Sequence, residues 1–281
     1  MQVVKMHGLG NSQLVIEDIE NCLEEKTGLI YGEMAEALCN QGFGIGADQM
    51  LVILPSITAN YKMRIFNKDG GEAEMCGNGI RCVAKYLYDK NKVDKEHTIE
   101  TKAGIKELKI HESPKKDQIE VKMGEGKIIE DGITVNEFKG TFVSTGNPHF
   151  VTFTRKASTN TARVEGPKME KDEIFQPDGA NIEFAYPPSN SEIETYVWER
   201  GAGLTLACGT GACATAFVAR KKGMIPKSSK IRLLGGTLEI KVKENGIIYM
   251  TGPAEYILRG TVDDISGIHK NVEKYKERRA Q

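Results

Sequence analysis

Met75-Cys76-Gly77-Asn78-Gly79 is answered 132 positions later by Ala207-Cys208-Gly209-Thr210-Gly211. One such echo could be chance, but others keep nearly the same distance. Ile65-Phe66-Asn67 meets Val197-Trp198-Glu199, and residues 99–104 with Leu108 meet residues 231–236 with Ile240. Gly46-Ala47-Asp48 meets Gly179-Ala180-Asn181, and Gly10-Asn11 with Leu14-Val15 meets Gly146-Asn147 with Phe150-Val151. Collinear matches at one spacing mark an internal duplication. The expected halves are residues 1–126, to which the C-terminal segment 261–281 can be added, and residues 127–260. Each is near the common size of a domain.

Both halves carry the same local pattern. Tyr61, Met63 and Ile65 alternate with Lys62, Arg64 and Phe66, and Ile193, Thr195 and Val197 repeat that period of two, which reads as a strand. A glycine turn follows, and then a helix. Ile80, Val83, Ala84 and Leu87 fall on one helical face, whereas residues 212–219 are small and apolar almost all round, as suits a helix enclosed by a sheet. Residues 98–110, 118–123, 231–242 and 247–250 read as further strands. The expected class is α+β, with two homologous halves, each a mostly antiparallel β-sheet wrapped around a central α-helix. Residues 156–174 are expected to form surface structure, and the charged residues 270–281 a solvated or frayed end.

Composition narrows the function. Hydrophobic residues at 40% and charged residues at 27% describe a globular chain. Lys and Arg number 38 against 39 Asp and Glu, so neither nucleic acid nor an anionic membrane is an expected partner. No apolar run approaches the roughly 18 residues of a membrane span. The first residues lack a basic segment followed by an apolar one, so a cytoplasmic location is expected. In that compartment the six cysteines argue against a disulfide scaffold. Their spacings are not those of a structural zinc site, and Cys22, Cys39, Cys82 and Cys213 read as small core residues. His7, His97, His111, His149 and His269 show no ligand spacing, so no metal is expected. No phosphate-loop or dinucleotide motif is present, and no lysine context suggests pyridoxal phosphate, so no cofactor is expected.

Cys76 and Cys208 differ from the other four. Each stands where a strand passes into a helix, before Gly-x-Gly. Glycine lets the backbone turn tightly and face its N–H groups to a ligand. A helix N-terminus binds carboxylates and draws a thiol pKa down from about 8.5. A single Cys-Gly-x-Gly is commonplace; two at equivalent positions of a duplicated chain are not. A pseudo-twofold between the halves would bring both helix starts to one cleft, where two cysteines could approach one carbon from opposite sides. That suits inversion of a stereocentre by proton transfer, in which one base removes a proton and an acid on the other face returns one. Backbone N–H groups aimed at the substrate carboxylate would stabilise the carbanion.

These residues bring the chain to a known family. Segments 5–11, 44–49, 64–70, 76–82, 146–149, 181–184, 199–203 and 207–212 together resemble the diaminopimelate epimerases over nearly the whole length. The two cysteine motifs in this order, with Glu199-Arg200-Gly201 before the second, are the specific part. The resemblance implies an isomerase that interconverts LL- and meso-2,6-diaminopimelate without pyridoxal phosphate, in lysine and cell-wall precursor biosynthesis. It implies an active site in a cleft between the halves, a small-molecule substrate and a homodimer. Carried over, Cys76 and Cys208 are the acid/base pair, Cys76 deprotonating the LL form and Cys208 the meso form. Gly77, Asn78, Gly209 and Thr210 are the helix-start donors. Asn11, Gln49, Asn67, Asn147, Asn181, Glu199 and Arg200 are substrate contacts, a set able to read two carboxylates and two ammonium groups. His149 and Glu199 would tune the thiols, a purely structural hydrogen bond being the alternative. Asp69 and Arg81 hold loop and helix. Ser12, Gln13, Lys68 and Gly71 depart from the commonest family pattern and bear on substrate preference.

Two other readings compete. One is a racemase of another amino acid in the same fold, which Arg200 and the amides argue against because they imply a second charged head on the substrate. The other is a binding or thiol-redox protein in which Cys76 and Cys208 form a regulatory disulfide.

Overall fold

The computed structural model describes residues 1–189 and 191–280, which form two compact units, Met1–Ile119 with Pro253–Gln281, and Glu120–Gly252.

In the first unit, strands Gln2–Gly8 and Asn11–Glu17 form a hairpin across Leu9-Gly10. Both turn residues have positive φ, 55° and 86°, the backbone that two-residue hairpin turns use. The far edge of Gln2–Gly8 pairs antiparallel with Glu255–Thr261. Asn11–Glu17 pairs parallel with Gln49–Leu54, after a crossover through helices Leu23–Thr27 and Tyr31–Cys39. Gln49–Leu54 pairs antiparallel with Tyr61–Asn67, which runs parallel to Glu96–Thr101. That second crossover is helix Gly77–Asp89.

The second unit repeats this plan. Phe138–Ser144 and Pro148–Phe153 are antiparallel, and Pro148–Phe153 is parallel to Asn181–Ser189 through helix Thr159–Met169. Glu192–Glu199 pairs antiparallel with Asn181–Ser189 and parallel with Ser228–Leu233, through helix Gly209–Lys221. Each sheet is mostly antiparallel, with parallel pairs where a helix intervenes, because a crossover returns the chain in its original direction. Ile80, Val83, Ala84 and Leu87 are buried, as is every residue from Ala212 to Ala219, so both core helices match their sequence pattern.

Five details differ from expectation. Residues 98–110 are two strands, Glu96–Thr101 and Gly104–His111, and residues 231–242 likewise divide into Ser228–Leu233 and Gly236–Val242. Strand pairing sets Asn181 against His149 and Gln49 against Gln13, so Gln49, rather than Asp48, is the counterpart of Asn181. Residues 156–174 are not surface structure alone: Ser158 Oγ caps helix Thr159–Met169 by accepting from Thr161 N at 3.0 Å, and Ala162 and Met169 are buried. The helix can approach Trp198 because Gly166 has no Cβ, which would lie 2.4 Å from the indole Cγ. Cys22 is only half-buried, at the start of the short helix Leu23–Thr27. The charged tail is helical over Ile265–Ala280, with Ile265 and Val272 buried and Lys276 Nζ 2.5 Å from Glu36; Gln281 lies outside the described residues.

Candidate active site

Both motif cysteines are the N-cap residue of their helix, with extended φ/ψ of −137°/111° at Cys76 and −113°/109° at Cys208. The first amides of a helix have no partner within it, and each sulfur takes one. Gly79 N donates to Cys76 Sγ at 3.2 Å, and Gly211 N donates to Cys208 Sγ at 3.4 Å. A cap is ordinarily a Ser, Thr, Asp or Asn oxygen. Sulfur is a weaker acceptor, so cysteine at both stations gives up cap strength and gains a titratable, nucleophilic atom.

In the first unit Asn11 stands beside the thiol, with Cys76 Sγ 3.8 Å from Asn11 Oδ1. Asn11 is held from two sides: Gln13 Nε2 donates to its Oδ1 at 2.5 Å, and its Nδ2 donates to Asp48 at 3.2 Å. Asp48 also accepts Ser12 N at 2.7 Å. Gln49 and Asn67 form a separate pair, Gln49 Nε2 donating to Asn67 Oδ1 at 2.8 Å. Asn78 is turned toward the interior, where its Oδ1 accepts from Arg81 Nη2 at 3.0 Å. Arg81 is fully buried and also donates to Gly77 O at 3.0 Å and Pro253 O at 3.1 Å, which fixes the first helical turn. Asp69 accepts Gly71 N at 3.0 Å within its own loop.

In the second unit His149 joins two site residues, with Nε2 2.8 Å from Asn147 Oδ1 and Nδ1 2.6 Å from Glu183 Oε1. Asn181 Nδ2 donates to Pro148 O at 3.1 Å, and its Oδ1 accepts Arg200 N at 2.9 Å. The exposed Arg200 guanidinium donates to Asp178 O. Glu199 accepts from Thr205 Oγ1 and interacts with the Cys208 thiol, while Thr210 Oγ1 lies 3.5 Å from Cys208 Sγ. Burial pushes the Cys208 thiol well above its ordinary range, and the Glu199 carboxyl pushes it further; Thr210 and the Gly211 N–H act the other way. Glu199 is itself raised by loss of water, partly offset by Thr205 and Cys208.

Sequence reasoning missed Gln13, Asp48, Glu183 and Thr205. The signal for Gln13 was present, since it follows Asn11 by two positions as His149 follows Asn147.

The fold recurs in solved structures of modest identity. A probable proline racemase from Agrobacterium radiobacter K84 superposes with a TM-score of 0.71 at 15% identity, covering 93% of this chain and 92% of that one. A hydroxyproline epimerase from Agrobacterium vitis gives 0.71 at 16% identity, covering 92% and 91%. This is the two-repeat fold shared by racemases and epimerases. The diaminopimelate epimerase family profile matches residues 3–129 and 141–257. The diaminopimelate epimerase of Caldanaerobacter subterraneus subsp. tengcongensis is 40% identical over 94% of this chain and 100% of its own. That of Methanococcus maripaludis strain C6 is 41% identical over the same shares. The chain belongs to the diaminopimelate epimerase family, and it is an isomerase.

Proposed function

We propose that this enzyme interconverts LL- and meso-2,6-diaminopimelate, in lysine and cell-wall precursor biosynthesis, with Cys76 and Cys208 as the base that takes a proton from one face of the α-carbon and the acid that gives another to the opposite face. The observation that carries the assignment is the repeated cap: two cysteines, each accepting one backbone N–H from the third residue of an equivalent helix. Inversion needs a base on one face of the carbon and an acid on the other. In the LL-to-meso direction the acid role is assigned to Cys208, whose thiol burial holds in the protonated form, and the base role to Cys76, which keeps the Gly79 N–H and gives up the proton it directs at Asn11 Oδ1. In that state Cys76 removes the α-proton of the LL form and the Cys208 S–H protonates the opposite face. The products are the meso form, a Cys76 thiol and a Cys208 thiolate, and the reverse direction starts from there.

The N–H groups of the first helical turns, at Gly77, Asn78, Gly209 and Thr210, are assigned to the reacting carboxylate, where carbanion charge develops. Asn11 and Asn147 are assigned as matched substrate contacts, with Gln49, Asn67, Asn181, Glu199 and Arg200 around them. A homodimer and a cytoplasmic location are proposed with this reading, and sedimentation velocity and cell fractionation test them.

The deciding experiment is α-proton exchange of diaminopimelate in D2O by purified protein without pyridoxal phosphate. Exchange with inversion is expected, together with loss of inversion in both Cys76→Ala and Cys208→Ala. Near-normal turnover by either variant would refute the two-base assignment.

A further inference from the structure

Behind the second-half cysteine lies a couple that the first half lacks. Gln13 and His149 occupy one station, opposite Gln49 and Asn181, and two residues along the partner strands Leu51 and Glu183 occupy another. Both first-station side chains do the same work, offering Nε2 to a motif asparagine at 2.5 Å and 2.8 Å. For glutamine that donor is built in. For a neutral imidazole it depends on which ring nitrogen carries the hydrogen, and the partner of the other nitrogen decides that.

Asn147 Oδ1 can only accept, so His149 Nε2 must donate. Nδ1 then faces Glu183 Oε1 at 2.6 Å, and both side chains are wholly buried. Glu183 Oε2 has no hydrogen-bond partner among the described residues. A bare, buried carboxylate oxygen is costly, whereas a carboxylic acid can give its hydrogen to Nδ1 and leave only a neutral carbonyl unpaired. Leucine at the same station of the first half fits, because glutamine needs no partner to fix a tautomer.

We propose that Glu183 is a positioning residue held as a carboxylic acid, whose Oε1–H donates to His149 Nδ1, fixes the neutral Nε2–H imidazole and through it holds Asn147 toward substrate. Burial, which pushes this carboxyl upward against the pull of His149, agrees. The part of the proposal that concerns substrate rests on the epimerase reading; the proton arrangement does not.

Nitrogen-15 NMR of histidine-labelled enzyme at neutral pH tests the arrangement directly. His149 is expected as the neutral Nε2–H tautomer in the native enzyme and in Glu183→Gln, whose amide can also donate to Nδ1. The infrared carbonyl band of a buried carboxylic acid should vanish in Glu183→Gln. An imidazolium at His149, or no such band in the native enzyme, would overturn the proposal whether or not the protein epimerises anything. Glu183→Leu should release the tautomer and raise KM for diaminopimelate about tenfold, the lower end of what loss of an orienting outer hydrogen bond costs elsewhere, with a smaller change in kcat. His149→Gln/Glu183→Leu rebuilds the first-half pair and should recover most of that loss. A double variant no better than Glu183→Leu would show that the carboxyl acts otherwise.

Discussion

Gly211 donates its N–H to Cys208 Sγ across 3.4 Å, and the space above its Cα is taken by Glu183, whose Oε1 would sit 2.7 Å from a Cβ placed there. The equivalent Gly79 faces the Leu51 methyls at 3.1 Å. The two glycines are alike in backbone role and unlike in what lies behind them.

Alanine at these positions should therefore have unequal effects. In a helix Ala gains up to about 1 kcal/mol over Gly, and Leu51 can yield a few tenths of an ångström, so Gly79→Ala is expected to be near neutral in stability. Gly211→Ala forces the buried couple to move, at a cost of about 1–3 kcal/mol, and should lower kcat/KM at least tenfold. Thermal melts of the two variants check this; equal or reversed losses would contradict it.

Cys208 offers a pH test. A thiol is neutral when protonated, so a raised pKa means that its thiolate appears only at higher pH. The thiolate, not the thiol, attacks iodoacetamide and displaces iodide. Labelling at Cys208, followed by peptide mass spectrometry, should therefore be slower at pH 8 than for an unperturbed cysteine and still be climbing well above pH 9. Thr210→Val, which removes one group favouring the thiolate, should slow it further. Labelling that has already levelled off at pH 8 would rule out a resting thiol at Cys208.

Asp18 predicts an acid-sensitive edge in the first unit. Burial raises its pKa, but Tyr31 Oη at 2.5 Å, Cys22 N at 2.9 Å and Leu23 N at 3.0 Å together outweigh it, and the net shift is downward. A depressed folded-state pKa gives stability that is present above the ordinary aspartate value and is lost as pH falls through the folded one. Asp18→Asn should cost about 1–3 kcal/mol at neutral pH, and the gap to the native protein should narrow as the pH falls below the ordinary aspartate value of about 3.9. Urea titrations across that range measure it; a constant gap would mean that the charge on Asp18 does nothing.

The duplication, the two core helices and the cysteines at their starts were all legible in the sequence, because a glycine-flanked motif followed by i, i+3, i+4 spacing leaves little freedom. Strand direction was not, since a period of two is the same in parallel and antiparallel pairs; Asn11–Glu17 beside Gln49–Leu54 shows it. Glu183 was hidden for another reason. A glutamate in a strand ordinarily marks a solvent face, and only the pairing of Val151 with Glu183, matching Val15 with Leu51, shows it turned toward Gly211. The tail misled in the opposite sense. Its charges do face solvent, but Val272 is buried and anchors a helix among them.

The return of Glu255–Thr261 to pair with Gln2–Gly8 bears on the order of events at the ribosome. The first unit begins first and ends last: its opening strand must wait, one edge unpaired, until some 250 further residues have been synthesised. The second unit is continuous in the chain and has all its strands as soon as Gly252 emerges. Nascent chains stalled shortly after that point should resist protease over residues 120–252 while the segment before them is still cut. Early protection of both segments would show that the opening hairpin and its crossover strands hold without their final neighbour.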